Sequence, residues 1–200
     1  MKRKLTQRGR ERRQQILDES ARLFAERGYH PTAVAEIVES LGVGKGVFYW
    51  YFESKEDLFL EILASSSQDL RRRQQAAIGD EPDPLRRVEL GIRASLQWFR
   101  DNRHLFNLSQ FAATEERFAG VLRQNDAVAI DDITRHLKEA MSDGSIPDQD
   151  PTMLAHALVG ATRTLARTYL YHDDQPVDLI ADVAVRFVIG GLTARGAGDR

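Results

Sequence analysis

The chain contains no cysteine, which excludes disulfides, thiolate metal sites and thiol nucleophiles at once. The same absence fits a reducing compartment, and a cytoplasmic location is expected. No apolar run reaches the roughly 18 residues that a membrane span needs. The segment from Lys2 to Arg13 is charged, with no apolar stretch behind it, so it does not read as a secretory signal. His30, His104, His136, His156 and His172 show no HExxH or other ligand spacing, so no metal site is expected. Gly44-Lys45 is only superficially like a phosphate loop. Glu39 stands where its first Gly should be, and Gly46 where its Ser or Thr should be. Ser65-Ser66-Ser67 lacks the glycines of a nucleophile elbow, and His172-Asp173-Asp174 reads as a solvated helix end. Catalytic constellations and cofactor motifs are therefore both missing. The expectation is a protein that is not an enzyme and needs no cofactor. Alternating apolar and polar residues bounded by hairpin turns are missing as well, which leaves strands without support.

What the chain does have is helical periodicity, with 42% hydrophobic and 29% charged residues. Ile16, Leu17, Ala21, Leu23, Phe24 and Ala25 recur at three- and four-residue spacing, predicting an amphipathic helix over about 9–27 that Gly28 stops. A second helix opens at Pro31-Thr32 and carries Val34, Ile37, Val38 and Leu41 on one face before breaking at Gly42. Ser54-Lys55-Glu56-Asp57 resembles a capping box and starts a helix that runs to about Ile78. Asp83-Pro84 and Asp150-Pro151 each pair an N-cap with a proline in the first helical position. Between and after them, helices are expected at about 85–101, 103–112, 115–141, 151–171 and 177–194. The fold class is all-α.

Charge is unevenly divided. Residues 1–55 hold 11 Lys/Arg against 7 Asp/Glu, a net +4, and the remaining 145 hold 17 against 23, a net −6. A basic head on an acidic body is the asymmetry expected when one end meets polyphosphate.

The basic head contains the most informative stretch, Gly42 to Phe52. A tight turn at Gly42-Val43-Gly44 leads into a short aromatic helix, which suits the second element of a helix-turn-helix. Val43, Phe48 and Phe52 are expected to pack inward. Lys45, Gly46, Val47, Tyr49, Trp50 and Tyr51 would then face DNA, with Lys55 as a further point charge for phosphate. A helical hairpin with all its aromatics in the core is the alternative that these residues alone leave open.

This region resembles the DNA-binding signature of the TetR family of transcriptional regulators. The matching residues are Gly28-Tyr29, Thr32, Ile37, Gly42-Val43, Lys45-Gly46, Phe48-Tyr49, Tyr51-Phe52 and Ser54-Lys55-Glu56, within a span from Ile16 to Leu63. The resemblance implies a helix-turn-helix DNA-binding domain over 1–53 and a larger helical ligand-binding and dimerisation domain over 54–200. It also implies that the helix from Ser54 to Ile78 links the two. Three positions depart from the family pattern. Ala33 stands where Thr or Ser usually caps the second helix, so Thr32 is expected to cap instead. Gly44 replaces a common Ser, and Val47 a common Thr.

The body is where a small-molecule effector is expected. Trp98, Phe99, Phe106, Gln110 and Phe111 lie close in sequence and mix aromatics with an amide, as a pocket would. Arg163, on an apolar stretch, would want an anionic partner: a ligand carboxylate or an acidic side chain. Leu158, Val183, Phe187, Gly190 and Gly191 in the last two helices are expected at a homodimer interface. Two copies would read a near-palindromic double-stranded operator. The function expected is a repressor released from its operator by a small molecule. A ligand-dependent activator and a helical protein-binding adaptor are the alternatives.

Overall fold

The computed structural model describes residues 5–194, and every regular element among them is helical. Helix α1 spans Gln7–Arg27, α2 Val34–Ser40, α3 Lys45–Tyr51 and α4 Lys55–Ile78. They are followed by α5 Pro84–Asp101, α6 Arg103–Ala113, α7 Glu116–Ser142, α8 Pro151–Leu165 and α9 Val177–Thr193. No helix among the described residues is long and apolar enough to cross a membrane.

Local chemistry fixes most of the helix ends. The Thr6 hydroxyl accepts the Gly9 N–H and starts α1, which Gly28 terminates at φ 90° while donating to the Phe24 carbonyl. Ser54 Oγ accepts the Asp57 N–H at 3.0 Å, and Asp57 reaches back to the Glu53 N–H at 3.2 Å. Two donors left over at the start of α4 are satisfied reciprocally. Asp83 and Asp150 each take two N–H groups of the helix they precede, ahead of Pro84 and Pro151.

Two details depart from expectation. Thr32 does not cap α2: its hydroxyl donates to the Gly28 carbonyl at 2.8 Å and the residue is buried. Ala33 occupies the N-cap position, and the Glu36 carboxylate accepts its N–H at 2.7 Å, so half of a capping box survives without the hydroxyl. The helix expected to run on to about 171 stays α-helical only to Leu165. A π-type segment, Ala166–Leu170, follows it. That wider winding brings Ala166 and Leu170 inward, and the Tyr171 hydroxyl beyond it donates to the Phe99 carbonyl at 2.6 Å.

The chain forms two compact units. One takes the chain up to Ser66 together with His104–Leu122, and the other takes Ser67–Arg103 with the chain from Arg123 onward. The core of the first contains Ile16, Phe24, Tyr29, Ile37, Phe48, Phe52 and Phe59, joined by Leu108, Ala112 and Phe118. Tyr29 sits at its centre, with ring centroids 4.7 Å from Phe59, 5.3 Å from Phe24 and 5.3 Å from Phe118. Fully buried aromatic side chains of this kind contribute about 1.5–3 kcal/mol each relative to exposure. In the second unit α5 packs on α9, and α8 on both α9 and the π-type segment. Ion pairs cross between its helices: Arg71 to Asp132 at 2.6 Å, Arg93 to Asp182 at 2.8 Å, and Arg87 to Glu139.

Candidate functional site

The turn before α3 is built by Gly42. It adopts φ +64°, a left-handed conformation costly for any residue with a Cβ. Its N–H donates to the Glu39 carbonyl at 3.0 Å and the next N–H, of Val43, to the Val38 carbonyl at 2.9 Å. This pair of bonds is a Schellman motif, which closes α2 and redirects the chain into α3 within a few residues.

Helix α3 is divided by burial. Phe48 and Phe52 are fully inside the first unit, and Val43 packs against the same core. Lys45, Gly46, Tyr49 and Trp50 are exposed, the two aromatics by 55% and 53%. Aromatic side chains more than half exposed on a seven-residue helix stabilise little within the chain, so their surface is available to a partner. Val47 and Tyr51 are half-buried and touch the core, so each presents only an edge outward. The Trp50 and Tyr51 rings meet edge to face at 4.5 Å. A Cβ added at Gly44 or Gly46 would meet nothing within 4 Å. Space inside the protein therefore does not require glycine at either position.

Lys55 behaves differently from the expectation of a phosphate contact. Its ammonium donates to the carbonyls of Tyr29 at 2.9 Å, Thr32 at 2.9 Å and His30 at 3.3 Å, and lies 4.5 Å from the Tyr29 ring centroid. An ammonium has three donors, and all three are taken up. Burial and then the nearby Arg117 push its pKa below the ordinary lysine value. Lys55 thus ties the start of α4 to the loop between α1 and α2. Arg13, unremarked in the sequence, has a related role. Its guanidinium lies 4.8 Å from the Phe52 ring and pairs with Glu61. Lys55 lies inside the signature read for DNA contact and Arg13 ahead of it in the charged N-terminal segment, so a basic residue type was the signal in both. Of the basic head, Lys2, Arg3 and Lys4 lie outside the described residues, whereas Arg8, Arg10, Arg12 and Arg13 ride on the first turns of α1.

A concave feature lies within the second unit. It is a cavity of about 280 Å³ walled by α4, α5, α7 and α8, including Leu70, Val88, Ile92, Phe99, Leu158 and Arg163. The effector cluster expected from the sequence is not assembled there. Only Phe99 and Arg163 of that set line the cavity. Trp98 turns elsewhere and donates its indole N–H to Asp69 at 2.7 Å, the main cause holding that carboxyl below its usual value. Phe111 belongs to the first unit, 5.9 Å from the Tyr29 ring and 6.0 Å from that of Phe59. Phe106 is buried and Gln110 half-buried in α6, and neither lines the cavity. Arg163 has found its anionic partner in Asp126. The cavity residues Arg87, His136, Gln74 and Ser95 were missed. Polar types at positions where amphipathic helices should turn inward were the available signal.

On α9, Leu179, Val183 and Phe187 are exposed by 51%, 41% and 69% at four-residue spacing. Gly190 and Gly191 are exposed beyond them. Leu158, by contrast, is buried against the cavity and is not free for an interface. Among the described residues, no group of His, Asp and Glu could hold a metal ion.

The family model described as "Bacterial regulatory proteins, tetR family" matches residues 16–62, the helices that carry and support α3. HTH-type transcriptional activator FasR of Mycolicibacterium smegmatis is 28% identical over 188 residues, covering 92% of this chain and 84% of that protein. HTH-type transcriptional repressor KstR2 of the same organism is 27% identical over 208 residues, covering 94% of each. A solved structure of AibR in complex with isovaleryl coenzyme A and operator DNA shares the fold, with a TM-score of 0.73 at 22% identity, covering 88% of this chain and 97% of that one. The matched segment begins at Ile16 and ends at Ile62, enclosing the Schellman turn, the half-exposed aromatic helix and its Lys55 tie, and relatives align across nearly the whole chain. Residues 16–62 thus carry the DNA-binding signature of the TetR family of bacterial transcriptional regulators, and the chain resembles members of that family along nearly its whole length.

Proposed function

We propose that the protein is a sequence-specific repressor that grips operator DNA with α3 and leaves it when a small molecule fills the cavity of the second unit. The observation that carries the DNA half is the division of α3, with Phe48 anchored at no exposure and Lys45, Gly46, Tyr49 and Trp50 turned out. A helix held by its inner face with its outer face unspent is what major-groove reading needs. Lys45 and the Tyr49 hydroxyl supply phosphate contacts, and Val47 offers its exposed edge to a thymine methyl. Lys55 acts indirectly, by holding the loop that supports the reading helix.

Functionally, residues 1–53 form the DNA-binding domain and 54–200 the ligand and dimer domain, with α4 as the element common to both. The protein works in the cytoplasm as a homodimer on a near-palindromic site. KstR2 is named a repressor and AibR was solved in complex with isovaleryl coenzyme A and operator DNA, which supports a repressor that also takes a small molecule. FasR is named an activator, and position of the operator relative to the promoter decides between the two signs. Ligand release requires preferential binding to the DNA-incompetent state, since equal affinity for both shifts nothing.

The test is selection of a binding site from random duplexes, followed by affinity measured across salt concentrations. A slope of log affinity against log salt of several units, about 0.9 per phosphate neutralised, is expected. A slope near zero would instead favour the adaptor, whose aromatic helix would meet a protein.

A further inference from the structure

Two helices begin in the first unit and continue into the second. Helix α4 leaves the first unit at Ser66, and α7 leaves it at Leu122. Further along, α4 lines the cavity with Leu70 and Gln74, and α7 lines it with Val128 and Ile133. There the two are tied to each other, with Arg71 Nε and Nη2 donating to the Asp132 carboxylate at 2.6 and 3.0 Å. Their starting ends converge on one short segment, residues 28–33, which joins α1 to α2.

Helix α4 grips the backbone of that segment, through the Lys55 ammonium and its three carbonyls. The start of α7 grips its side chains. The Glu115 carboxylate, one residue ahead of the helix, accepts from His30 Nε2 at 2.9 Å. It also accepts from Arg117 Nε and Nη2 at 3.1 and 2.8 Å. The Arg117 guanidinium lies 5.6 Å from the Tyr29 ring centroid, and Lys55 lies 4.5 Å from it, so two cations from two helices share one ring. Phe118, with no exposed surface, meets Tyr29 edge to face at 5.3 Å.

We propose that Glu115, Arg117 and Phe118 are positioning residues for operator reading, and that α7 is, with α4, a second helix joining the reading head to the effector cavity. The inference rests on the reading of α3 as the operator contact. The physical route is short. Thr32 and Ala33 lead directly into α2, and the Gly42 turn sets α3 on α2 through bonds to the Glu39 and Val38 carbonyls. A loosely held segment before α2 leaves α2, and with it α3, free to pivot. Lys55 fixes the carbonyls but not the Tyr29 and His30 side chains, which the α7 groups hold. Because Arg71 and Asp132 bind α4 to α7 beside the cavity, a ligand that displaces either wall draws on both grips.

The experiment compares the full chain with Glu115→Ala, Arg117→Met and Arg117→Lys. Both side chains reach the surface, so circular dichroism and melting temperature should stay those of the parent. Operator affinity should fall about fivefold in Glu115→Ala and Arg117→Met, the factor that about 1 kcal/mol of lost cation–ring contact gives. The fall should be equal at every salt concentration, and Arg117→Lys, which keeps a cation over the ring, should recover most of it. In the free protein, amide hydrogen exchange over residues 29–37 should quicken in the first two variants and stay parental in the third.

A salt slope lowered by about 0.9 per subunit in Arg117→Met would make Arg117 a phosphate contact and overturn the positioning role. Parental affinity in both folded variants, or parental exchange over residues 29–37, would overturn it too. So would an affinity that falls only along with the melting temperature and is not recovered by lysine. If Glu115→Ala does not fold, Arg117→Met decides alone. A parent that binds no duplex would instead sink the reading of α3. The grip is then decided by exchange: faster over residues 29–37 in Arg117→Met supports it, and unchanged overturns it.

Discussion

Lys45 and Lys55 both lie in the same signature, yet the structure gives them opposite surroundings. Lys45 is exposed at the start of α3. Lys55 donates to three carbonyls of the loop after α1. Lys45→Ala should therefore lower the log–log salt slope of operator binding by about 0.9 per subunit contact, with no change in melting temperature. Lys55→Met should do the reverse in its primary effect. The loop carbonyls lose a charged donor, costing about 2 kcal/mol of stability, while the salt slope of the folded protein stays that of the parent. Slopes and melting curves on the two variants separate these outcomes, and a slope lowered equally by both would return Lys55 to the interface. Residue type and spacing could not tell the two lysines apart. What separates them is which carbonyls the folded loop leaves within reach.

At the scale of elements, much was legible. Asp-Pro at 83–84 and 150–151 and Ser54 before α4 carry their own start signals, because capping is settled by neighbours within three residues. The break at Gly42 was legible for the same reason, and it makes a sharp test. Gly42→Ala forces a Cβ into φ +64° where nothing crowds it within 4 Å, so the backbone conformation alone should cost about 1–2 kcal/mol. Urea unfolding should show that loss, together with weaker operator binding as α3 loses its angle on α2. An alanine variant as stable as the parent would mean that the turn relaxes without glycine.

What the sequence concealed is where non-local packing decides. Trp98 and Phe111 are thirteen residues apart on successive helices, which invited one cluster. Yet α5 ends at Asp101, and their rings enter different cores, Trp98 at Asp69 and Phe111 at Tyr29. The cavity is likewise assembled from four helices far apart in the chain, so no local spacing announces it. Even the π-type turn after Leu165 leaves no compositional mark, since Ala166–Leu170 continue the helical pattern without a break.

At the scale of the molecule, the outer face of α9 is the feature that a single chain does not account for. Its inner face buries Ile180, Ala181, Ala184, Val188 and Leu192. Leu179, Val183 and Phe187 nevertheless stand exposed in a row, with Met153 of α8 exposed by 69%. Isolated exposed apolar residues are ordinary, but a row at four-residue spacing on a helix whose other side is already spent is the mark of a second partner. Another copy of the chain is the economical partner for an operator reader. One seven-residue reading helix touches only a few base pairs, too few to single out one site in a genome. Two related by a dyad would meet half-sites about 34–36 Å apart, or a multiple of that. Gly190 and Gly191 extend the row, and a Cβ at either would meet nothing within the chain, so their smallness is open to use by a facing helix. Val183→Glu with Phe187→Glu places two carboxylates per subunit in that contact without touching the inner face. Light scattering at micromolar concentration should give about twice 22.7 kDa for the parent and a folded monomer for the double variant. Operator affinity should fall steeply with the loss of the dimer, while the far-ultraviolet circular dichroism stays helical. A parent that scatters as a monomer, or a double variant that remains a dimer, would move the two-fold contact off this face of α9.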